Sequence, residues 1–231
     1  MEDFKSSFLF FTIYIYIFFF IFKIKMIRIA ITLDDVLRAK TERICKVYQK
    51  YINPSVNFEE LDFSTDDFRS ILGFNSKSEY YKFLYDDYSF EIFGEAPHME
   101  VALDKKLNLW HLELNDNEDI DEELELIITN PKEFNSSIPF TYFFLSKMAT
   151  RVREIFLPTD SMDIWKKCDI LITADPKLIE NAPNNKVCVK IKTPYNEKVN
   201  NANGLEFDSL SSFIEDGNNL VKVVSLYNGR K

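Results

Sequence analysis

From Met26 onwards, short apolar runs alternate with segments in which apolar residues recur every three to four positions. Such alternation indicates strands and helices in turn, which pack as a mainly parallel sheet covered by helices. We therefore predict an α/β fold in three layers, doubly wound around a mainly parallel five-stranded sheet. The strands are predicted at residues 27–33, 124–130, 153–158, 169–173 and 186–192.

The segment between residues 54 and 118 breaks this rhythm. It contains short helical patterns rich in aromatic and acidic residues, and we interpret it as a helical cap inserted into the core. The core then consists of residues 26–53 and 119–231. A helix is predicted at 36–52 directly after the first strand, and a further helix in the tail at 207–227.

The first 25 residues do not match the rest of the chain. Residues 8–22 form an apolar run that would span only ~22 Å as a helix, less than the ~30 Å hydrocarbon core of a bilayer. No small-residue cleavage site follows it, and Lys23 and Lys25 come after the run rather than before it, which is unlike a secretory signal. Three alternatives stay open: a gene start placed too far upstream of Met26, a membrane anchor, or a folded N-terminal helix.

Composition restricts the partners. The chain is 46% hydrophobic and 28% charged, which is typical of a globular protein. Its net charge of −9 and the lack of a basic stripe argue against a protein that binds nucleic acid through phosphates. Five glycines are too few to favour a glycine-rich phosphate loop. A basic or metal-bearing partner would suit the charge better.

Three cysteines, Cys45, Cys168 and Cys188, are widely spaced within apolar patterns. An odd number at such spacing favours buried, reduced thiols of a cytosolic protein over a disulfide or a zinc site.

Polar side chains follow three of the predicted strands at the point where each strand ends. Because sites of open parallel sheets form beyond the C-terminal ends of the strands, these side chains are the candidates for chemistry. They are Thr32, Asp34 and Asp35 after the first strand, Thr129 and Asn130 after the second, and Thr173 and Asp175, with Ala174 between them, after the fourth.

Three short motifs stand at the ends of the first, fourth and fifth predicted strands: TLDDVL at 32–37, ITADP at 172–176 and TPYN at 193–196. Together with the inserted helices, they resemble the haloacid dehalogenase-like (HAD) phosphohydrolases, and within these the 5'-deoxyribonucleotidase-like branch. The resemblance covers Met26 to about Asn196. It implies a Rossmann-like core with a cap and, in active members, Mg²⁺-dependent transfer of a phosphoryl group to an aspartate.

The resemblance assigns roles to individual positions. Asp34 corresponds to the aspartate that protonates the leaving group, and Thr129 to the hydroxyl that holds a phosphate oxygen. The nucleophile position is occupied by Thr32. Asn130 would lie beside the substrate, and Lys166 is the candidate for the cation that offsets charge between nucleophile and phosphate. Any metal would depend on Asp34 and Asp175.

Two substitutions weaken the implied chemistry. Thr32 offers a hydroxyl where the family has its attacking, metal-binding carboxylate, and Thr173 and Ala174 stand where it has the second metal anchor. Loss of a set of groups that act as a unit typically lowers a rate by ~10⁶. A purely structural role is also open for Asp34 and Asp35, since aspartate caps helix N-termini well and a helix is predicted to begin at Val36.

Other polar and aromatic residues of the insertion have simpler interpretations. Asp66–Asp67 and Asp86–Asp87 fit solvated helix ends better than metal sites, and neither His98 nor His111 has a partner at metal-ligand spacing. The aromatic residues at 79–90 could stack on a base or could pack in a core or an interface.

Two functions follow from these residues. The first is a catalytically inactive HAD-like protein that acts as an interaction or assembly module without a cofactor. Low glycine content and codon-biased residue usage suggest a bacteriophage protein, with crAss-like phages as possible relatives, in the host cytoplasm or the virion. The second is a Mg²⁺-dependent phosphatase or 5'-nucleotidase that uses Asp34, Asp35 and Asp175 in shifted geometry. We expect a protein partner or self-association, no nucleic acid, and membrane contact only if residues 1–25 are part of the protein.

Overall fold

The computed structural model describes residues 26–131, 133–134 and 136–230. Within them, six parallel strands form one sheet in the order β3-β2-β1-β4-β5-β6. The strands are β1 (Met26–Thr32), β2 (Glu123–Thr129), β3 (Glu154–Phe156), β4 (Ile170–Thr173), β5 (Val187–Ile191) and β6 (Gly204–Phe207). The predicted doubly wound α/β class is confirmed. The proposals for residues 1–25 lie outside the described residues.

Helices cover both faces of the sheet, because successive strand residues point to opposite sides. On β1, Ile27, Ile29 and Ile31 belong to one apolar cluster, and Ala30 belongs to another on the opposite face. The α-helices are α1 (Lys40–Tyr51), α2 (Phe68–Ile71), α3 (Lys77–Tyr81), α4 (Leu103–Glu113), α5 (Ile138–Lys147), α6 (Ile164–Lys167), α7 (Pro176–Glu180), α8 (Leu210–Ile214) and α9 (Gly217–Asn228). Side chains of α4, α5, α8 and α9 pack on the first face and those of α6 and α7 on the second, which gives the predicted three layers.

The prediction of five strands is one short, because it does not include β6. Its four residues carry no long apolar run, and Gly204 is a weak strand former. The reason for glycine is steric: a Cβ at Gly204 would lie 1.5 Å from the carbonyl oxygen of Cys188 on β5. The predicted single tail helix is also two helices, α8 and α9, separated by Glu215 and Asp216.

The first helix begins at Lys40 rather than at Val36. Leu33 O accepts hydrogen bonds from the N–H groups of Leu37 and Arg38, so the chain forms a tight turn before the helix. Within that turn Asp35 has a φ of +56°, a left-handed conformation that cannot continue a helix. The turn directs the polar side chains of residues 34–38 towards the C-terminal edge of the sheet.

Part of the predicted insertion forms an aromatic cluster with α1 above that edge. Phe74, Phe83 and Phe93 pack there with Ile44 and Tyr48 of α1. Much of this cluster lies in π-helical segments, Lys82–Asp87 and Phe90–Gly94. In contrast, α4 lies within the predicted insertion but packs against the sheet through Leu103, Leu107 and Trp110.

The three cysteines are free thiols in the structure, with Cys168 and Cys188 buried. Burial raises the pKa of Cys45 to about 11 and that of Cys168 to about 12, so both thiols stay protonated at neutral pH. Among the described residues, no helix combines the length and apolar character needed to cross a bilayer.

Candidate functional site

The strand ends meet at one edge of the sheet. Thr32, the last residue of β1, lies directly beside Thr129 of β2, and Ile31 lies beside Ile172 of β4. The side chains that follow β1, β2 and β4 therefore converge where the strand order changes direction from β1 to β4. This is the place at which open parallel sheets bind their ligands.

Thr32 fills the nucleophile position with a buried hydroxyl. Its side chain is only 1% exposed, and its Oγ1 donates to Oγ1 of Thr173 at 3.1 Å. The Thr173 hydroxyl also accepts the Asp175 N–H at 3.1 Å. The ends of β1 and β4 are thus joined by a bond between two neutral hydroxyl groups, and Ala174, the next residue, is fully buried.

Asp34 is bound in a network of charged side chains, so its carboxylate is not available to a ligand. Its Oδ1 accepts from Nη2 of Arg38 at 2.6 Å, and its Oδ2 accepts from Nζ of Lys40 at 2.6 Å. Asn130 closes the ring: its Nδ2 donates to Asp34 Oδ2 at 3.0 Å, and its Oδ1 accepts the Asp34 N–H at 3.1 Å. Each oxygen of the carboxylate is therefore engaged.

Arg38 is the centre of this network and is completely buried. Besides Asp34, its guanidinium donates to Glu133 Oε1 at 2.8 Å and to Thr141 Oγ1 at 2.9 Å. The rings of Phe93 and Phe144 lie 5.1 and 5.7 Å from its central carbon. Glu133 in turn accepts from Asn130 at 2.8 Å. This pattern satisfies a buried charge with two carboxylates, a hydroxyl and two aromatic faces.

The network fixes the protonation state of Asp34. Burial alone would raise its pKa, but the charges of Arg38 and Lys40, together with hydrogen bonds from Lys40 and Asn130, outweigh burial and hold the pKa well below its usual range. Burial lowers the pKa of Lys40, but the Asp34 carboxylate outweighs that effect and raises it above its usual value. Both groups are therefore charged at neutral pH.

Asp35 holds the turn and the start of α1. Its Oδ1 accepts the Thr41 N–H at 2.9 Å, and its Oδ2 accepts the hydroxyls of Thr41 at 2.5 Å and Tyr195 at 2.8 Å. Burial raises the pKa of Asp35, against the lowering effect of the hydrogen bonds from Thr41. The capping role considered for this residue is thus present, although it acts on a helix that begins five residues later.

A cavity of about 1140 Å³ lies between this edge and the inserted helices. Thr32, Asp34 and Asp35 line its floor. Its walls combine aromatic rings with charged side chains: the rings are Phe68, Tyr80, Tyr81, Tyr85, Phe134 and Tyr195, and the charged groups include Lys40, Lys77, Lys177, Arg69, Asp66 and Asp67. Across the cleft, the Phe68 ring of the insertion meets the Tyr195 ring of the core at 5.7 Å between centroids.

The remaining candidates take other positions. The Thr129 hydroxyl donates to Phe156 O at 2.6 Å, which ties β2 to β3. Asp175 lines the cavity, and its Oδ1 caps α7 by accepting the Leu178 N–H at 3.1 Å. Lys166 is not brought to the site: its side chain is 78% exposed and pairs with Asp163, because α6 lies against a face of the sheet.

These side chains do not fit a Mg²⁺ ion. The cation prefers carboxylate oxygens, but the ends of β1 and β4 supply two hydroxyl groups and an alanine. Asp34 is neutralised by two cations, and Asp35 is bound to Thr41 and Tyr195. In the part of the chain that the structure describes, no three His, Cys, Asp or Glu side chains are grouped to hold a metal ion.

Sequence reasoning missed the cations of the site. Arg38 and Lys40 fall inside the predicted helix 36–52, where the pattern assigns them no role, and Glu133 follows β2 without a motif. Two basic residues within six positions of Asp34 were the available signal. The TPYN motif has a local explanation: Asn196 Nδ2 donates to Ala174 O at 2.9 Å and Ile191 O at 2.8 Å, which fixes the loop that carries Tyr195.

No protein-family model and no curated protein matches the chain. Solved structures do match. One is the crystal structure of a protein of Burkholderia xenovorans LB400, named a haloacid dehalogenase-like hydrolase, with a TM-score of 0.51 and 7% sequence identity over 84% of this chain and 97% of that chain. At this identity the likeness concerns architecture alone. The chain therefore has the fold of a haloacid dehalogenase-like hydrolase.

Proposed function

We propose that this chain is a catalytically inactive protein with a HAD-like fold, which acts by binding a partner rather than by turning over a phosphate ester. One observation carries the proposal. The positions that would supply the nucleophile and the second metal anchor hold two buried hydroxyls, Thr32 and Thr173, bonded to each other at 3.1 Å.

The hydroxyl pair argues against nucleophilic catalysis. A threonine hydroxyl attacks only when a nearby base accepts its proton. The Thr32 hydroxyl donates instead to the neutral Thr173 oxygen, with Ile172 O at 3.5 Å as a second acceptor. Neither acceptor is a base of useful strength, so Thr32 stays a poor nucleophile.

Asp34 is equally unsuited to the role of general acid. A general acid must carry a proton before the reaction and release it to the leaving group. Arg38 and Lys40 hold the pKa of Asp34 well below its usual range despite its burial. The carboxylate is therefore ionised at neutral pH, and its oxygens are bound to the two cations.

A binding role is consistent with what the site retains. The cavity keeps its position over the strand ends and is walled by aromatic rings, which are the side chains enriched at binding surfaces. An interaction or assembly role, including one in a virion, remains our proposal for the use of this scaffold. The alternative of a Mg²⁺-dependent phosphatase requires Asp34, Asp35 and Asp175 to leave their present hydrogen-bond partners.

The proposal is tested by an assay of the full-length chain with p-nitrophenyl phosphate and nucleoside monophosphates, with and without Mg²⁺. Asp34→Asn is the matched variant, and Glu42→Gln, at an exposed ion pair on α1, is the control for an ordinary charge change. We expect no turnover above the buffer rate in any of the three proteins. Mg²⁺-dependent turnover in the parent that persists in Glu42→Gln would overturn catalytic silence, and its loss in a folded Asp34→Asn, checked by circular dichroism, would assign the activity to this site.

A further inference from the structure

The solvent-exposed face of α5 is apolar, although the exposed face of a helix is usually polar. Pro139, Tyr142, Phe143 and Ser146 are exposed and recur at helical spacing, so they form one stripe, which we call the α5 outer face. Tyr142 is 48% and Phe143 44% exposed. A helix packed on a sheet normally shows charged and polar residues on its solvent side. The opposite side of α5 packs in the core through Phe144 and Leu145.

Neighbouring residues extend this face. Phe90, 38% exposed, lies 5.3 Å from Phe143 and 5.4 Å from Phe140 between ring centroids. Lys147 folds back onto its own chain, with Nζ donating to Gly94 O at 3.1 Å and lying 5.7 Å from the Phe143 ring centroid. The result is a contiguous aromatic surface with one tethered cation at its edge.

We propose that this face is the interface of a symmetric dimer of the chain, formed by antiparallel contact of α5 with α5 of a second copy. The inference builds on the interaction role proposed above, since it names a second copy of the chain as the partner. It does not depend on the absence of catalysis. It rests on the local charge and the symmetry of the face, and the area of the face sets the expected strength of the dimer.

The local lack of charge permits a second copy at this face. Each chain carries a net charge of −9, so two copies repel each other over most of their surface. Residues 138–146 contain no charged side chain. Two copies can therefore meet along α5 without placing like charges opposite each other. In the antiparallel arrangement the two Lys147 side chains lie at opposite ends of the contact, ~13 Å apart along the helix axis.

The order of side-chain sizes is self-complementary. Along the stripe it is small, large, large, small: Pro139, Tyr142, Phe143, Ser146. A twofold axis between Tyr142 and Phe143 places each ring against the other copy's ring pair and each Pro139 against the other copy's Ser146. An isologous interface needs this kind of palindrome, since the same patch must fit itself.

The area sets the expected strength. Three half-exposed rings, Phe90, Tyr142 and Phe143, offer ~250 Å² of surface per copy, given ~150–250 Å² for a whole aromatic side chain. Stable specific interfaces bury at least ~1,200 Å² in total. The aromatic centre alone supplies less than half of that, so we expect a weak dimer that forms with rising concentration.

The first test is sedimentation velocity of the full-length chain over a concentration series. We expect the average mass to rise towards that of a dimer. Phe143→Glu should weaken association at least ~tenfold, whereas Leu112→Glu, the same kind of change at a 55% exposed leucine of α4, should leave it unchanged. Circular dichroism checks that both variants are folded, as expected for exposed positions.

Cross-linking tests the geometry. Position 142 lies beside the proposed twofold axis. In a Cys45→Ser background, the Tyr142→Cys variant should therefore be cross-linked to a covalent dimer by a short bis-maleimide. Ser146→Cys alone should not, because the two copies of this position are ~10 Å apart along the axis. Cross-linking through Ser146→Cys as readily as through Tyr142→Cys would indicate parallel helices, in which each position faces its own copy, and would contradict the antiparallel arrangement.

Other outcomes overturn the inference outright. A chain that is monomeric at all concentrations, or a dimer that survives Phe143→Glu, would show that this face does not join two copies. Binding of the parent, but not of Phe143→Glu, to neutral phosphatidylcholine vesicles without self-association would assign the face to a lipid surface instead. A dimer with phosphatase activity would refute the proposed lack of catalysis but not the dimer. A monomer without phosphatase activity would refute the dimer but not the proposed lack of catalysis.

Discussion

The Asp34 carboxylate and the Arg38 guanidinium lie 2.6 Å apart, and the arginine has no exposed surface. Removing such charges from water costs free energy, and a buried pair is stable only when further hydrogen bonds satisfy the remaining donors and acceptors. Here Glu133, Thr141 and Asn130 supply these bonds. The geometry is that of a structural network which holds the turn after β1 beneath the inserted helices.

Replacing Asp34 with asparagine should therefore destabilise the fold. The change leaves the buried Arg38 with Glu133 as its remaining carboxylate partner and removes the charge that faces Lys40. Loss of one member of a buried ion pair typically costs ~3–5 kcal/mol, and we expect ~3 kcal/mol because Glu133 remains. Urea unfolding followed by circular dichroism measures the free energy of unfolding.

The matched control is Glu42→Gln, which removes an exposed ion pair with Lys46 on α1. Exposed pairs contribute ~0–1 kcal/mol, so this variant should unfold close to the parent midpoint. Equal midpoints for Asp34→Asn and Glu42→Gln would contradict the structural role of the network.

The same network predicts a pH dependence. The pKa of Asp34 is lowered in the folded chain because Arg38 and Lys40 outweigh the effect of burial. A lowered folded pKa means that the stability from this carboxylate is fully present above the unfolded value, about 4, and is lost as the pH falls below it. The difference in unfolding free energy between the parent and Asp34→Asn should narrow from pH 5 to pH 3. A constant difference would argue against the assigned charge state.

Restoring carboxylates tests the account of the lost metal site. Thr32→Asp combined with Ala174→Asp places two carboxylates at the ends of β1 and β4, and without a cation these buried like charges should lower the melting temperature. Mg²⁺ should then raise the melting temperature of the double variant but not of Thr32→Val. We expect no turnover, because Asp34 stays ionised. Phosphatase activity in the double variant would show that Asp34 can still act as an acid.

Gly204→Ala should separate β6 from β5. A Cβ at this position would lie 1.5 Å from Cys188 O, which is main chain and cannot move aside cheaply. We expect a loss of at least ~3 kcal/mol and faster hydrogen exchange in β5. Gly217→Ala is the control, since a Cβ there meets nothing within 4 Å and alanine favours the helix. Similar stability of the two variants would contradict the pairing of β6.

The fold was largely predictable because its strands coincide with short apolar runs in the sequence. ILIT at 170–173 and VCVKI at 187–191 are buried along their whole length, and such runs separated by helical patterns specify a parallel sheet. β6 escaped prediction since its place depends on a close main-chain approach to Cys188, and a sequence shows such a contact only as an isolated glycine.

The candidate site was predictable in position but not in chemistry. The strand ends led to Thr32, Asp34 and Asp175, and all three line the cavity. The partners of Asp34 were not predictable, because the left-handed turn at Asp35 changes which side chains face the sheet edge. Arg38 then points into the protein. In a continuous helix from Val36, the helical period alone would have set the direction of this side chain.

Tyr195→Phe should weaken the turn through Asp35. The variant keeps the ring that meets Phe68 but removes the hydroxyl that donates to Asp35 Oδ2 at 2.8 Å. A hydrogen bond contributes ~0.5–1.5 kcal/mol between neutral groups and ~1.5–3 kcal/mol to a charged group, so we expect a loss of ~1–3 kcal/mol, whereas Tyr142→Phe, at an exposed ring, should change stability by less than ~0.5 kcal/mol. Burial raises the pKa of Asp35, so ionised Asp35 costs stability as the pH rises above about 4. The hydrogen bond from the Tyr195 hydroxyl lowers the pKa of Asp35, because it stabilises the ionised carboxylate. The deficit of Tyr195→Phe, measured by urea unfolding, should therefore shrink on acidification. A deficit that grows on acidification would mean that the hydroxyl stabilises the neutral acid instead.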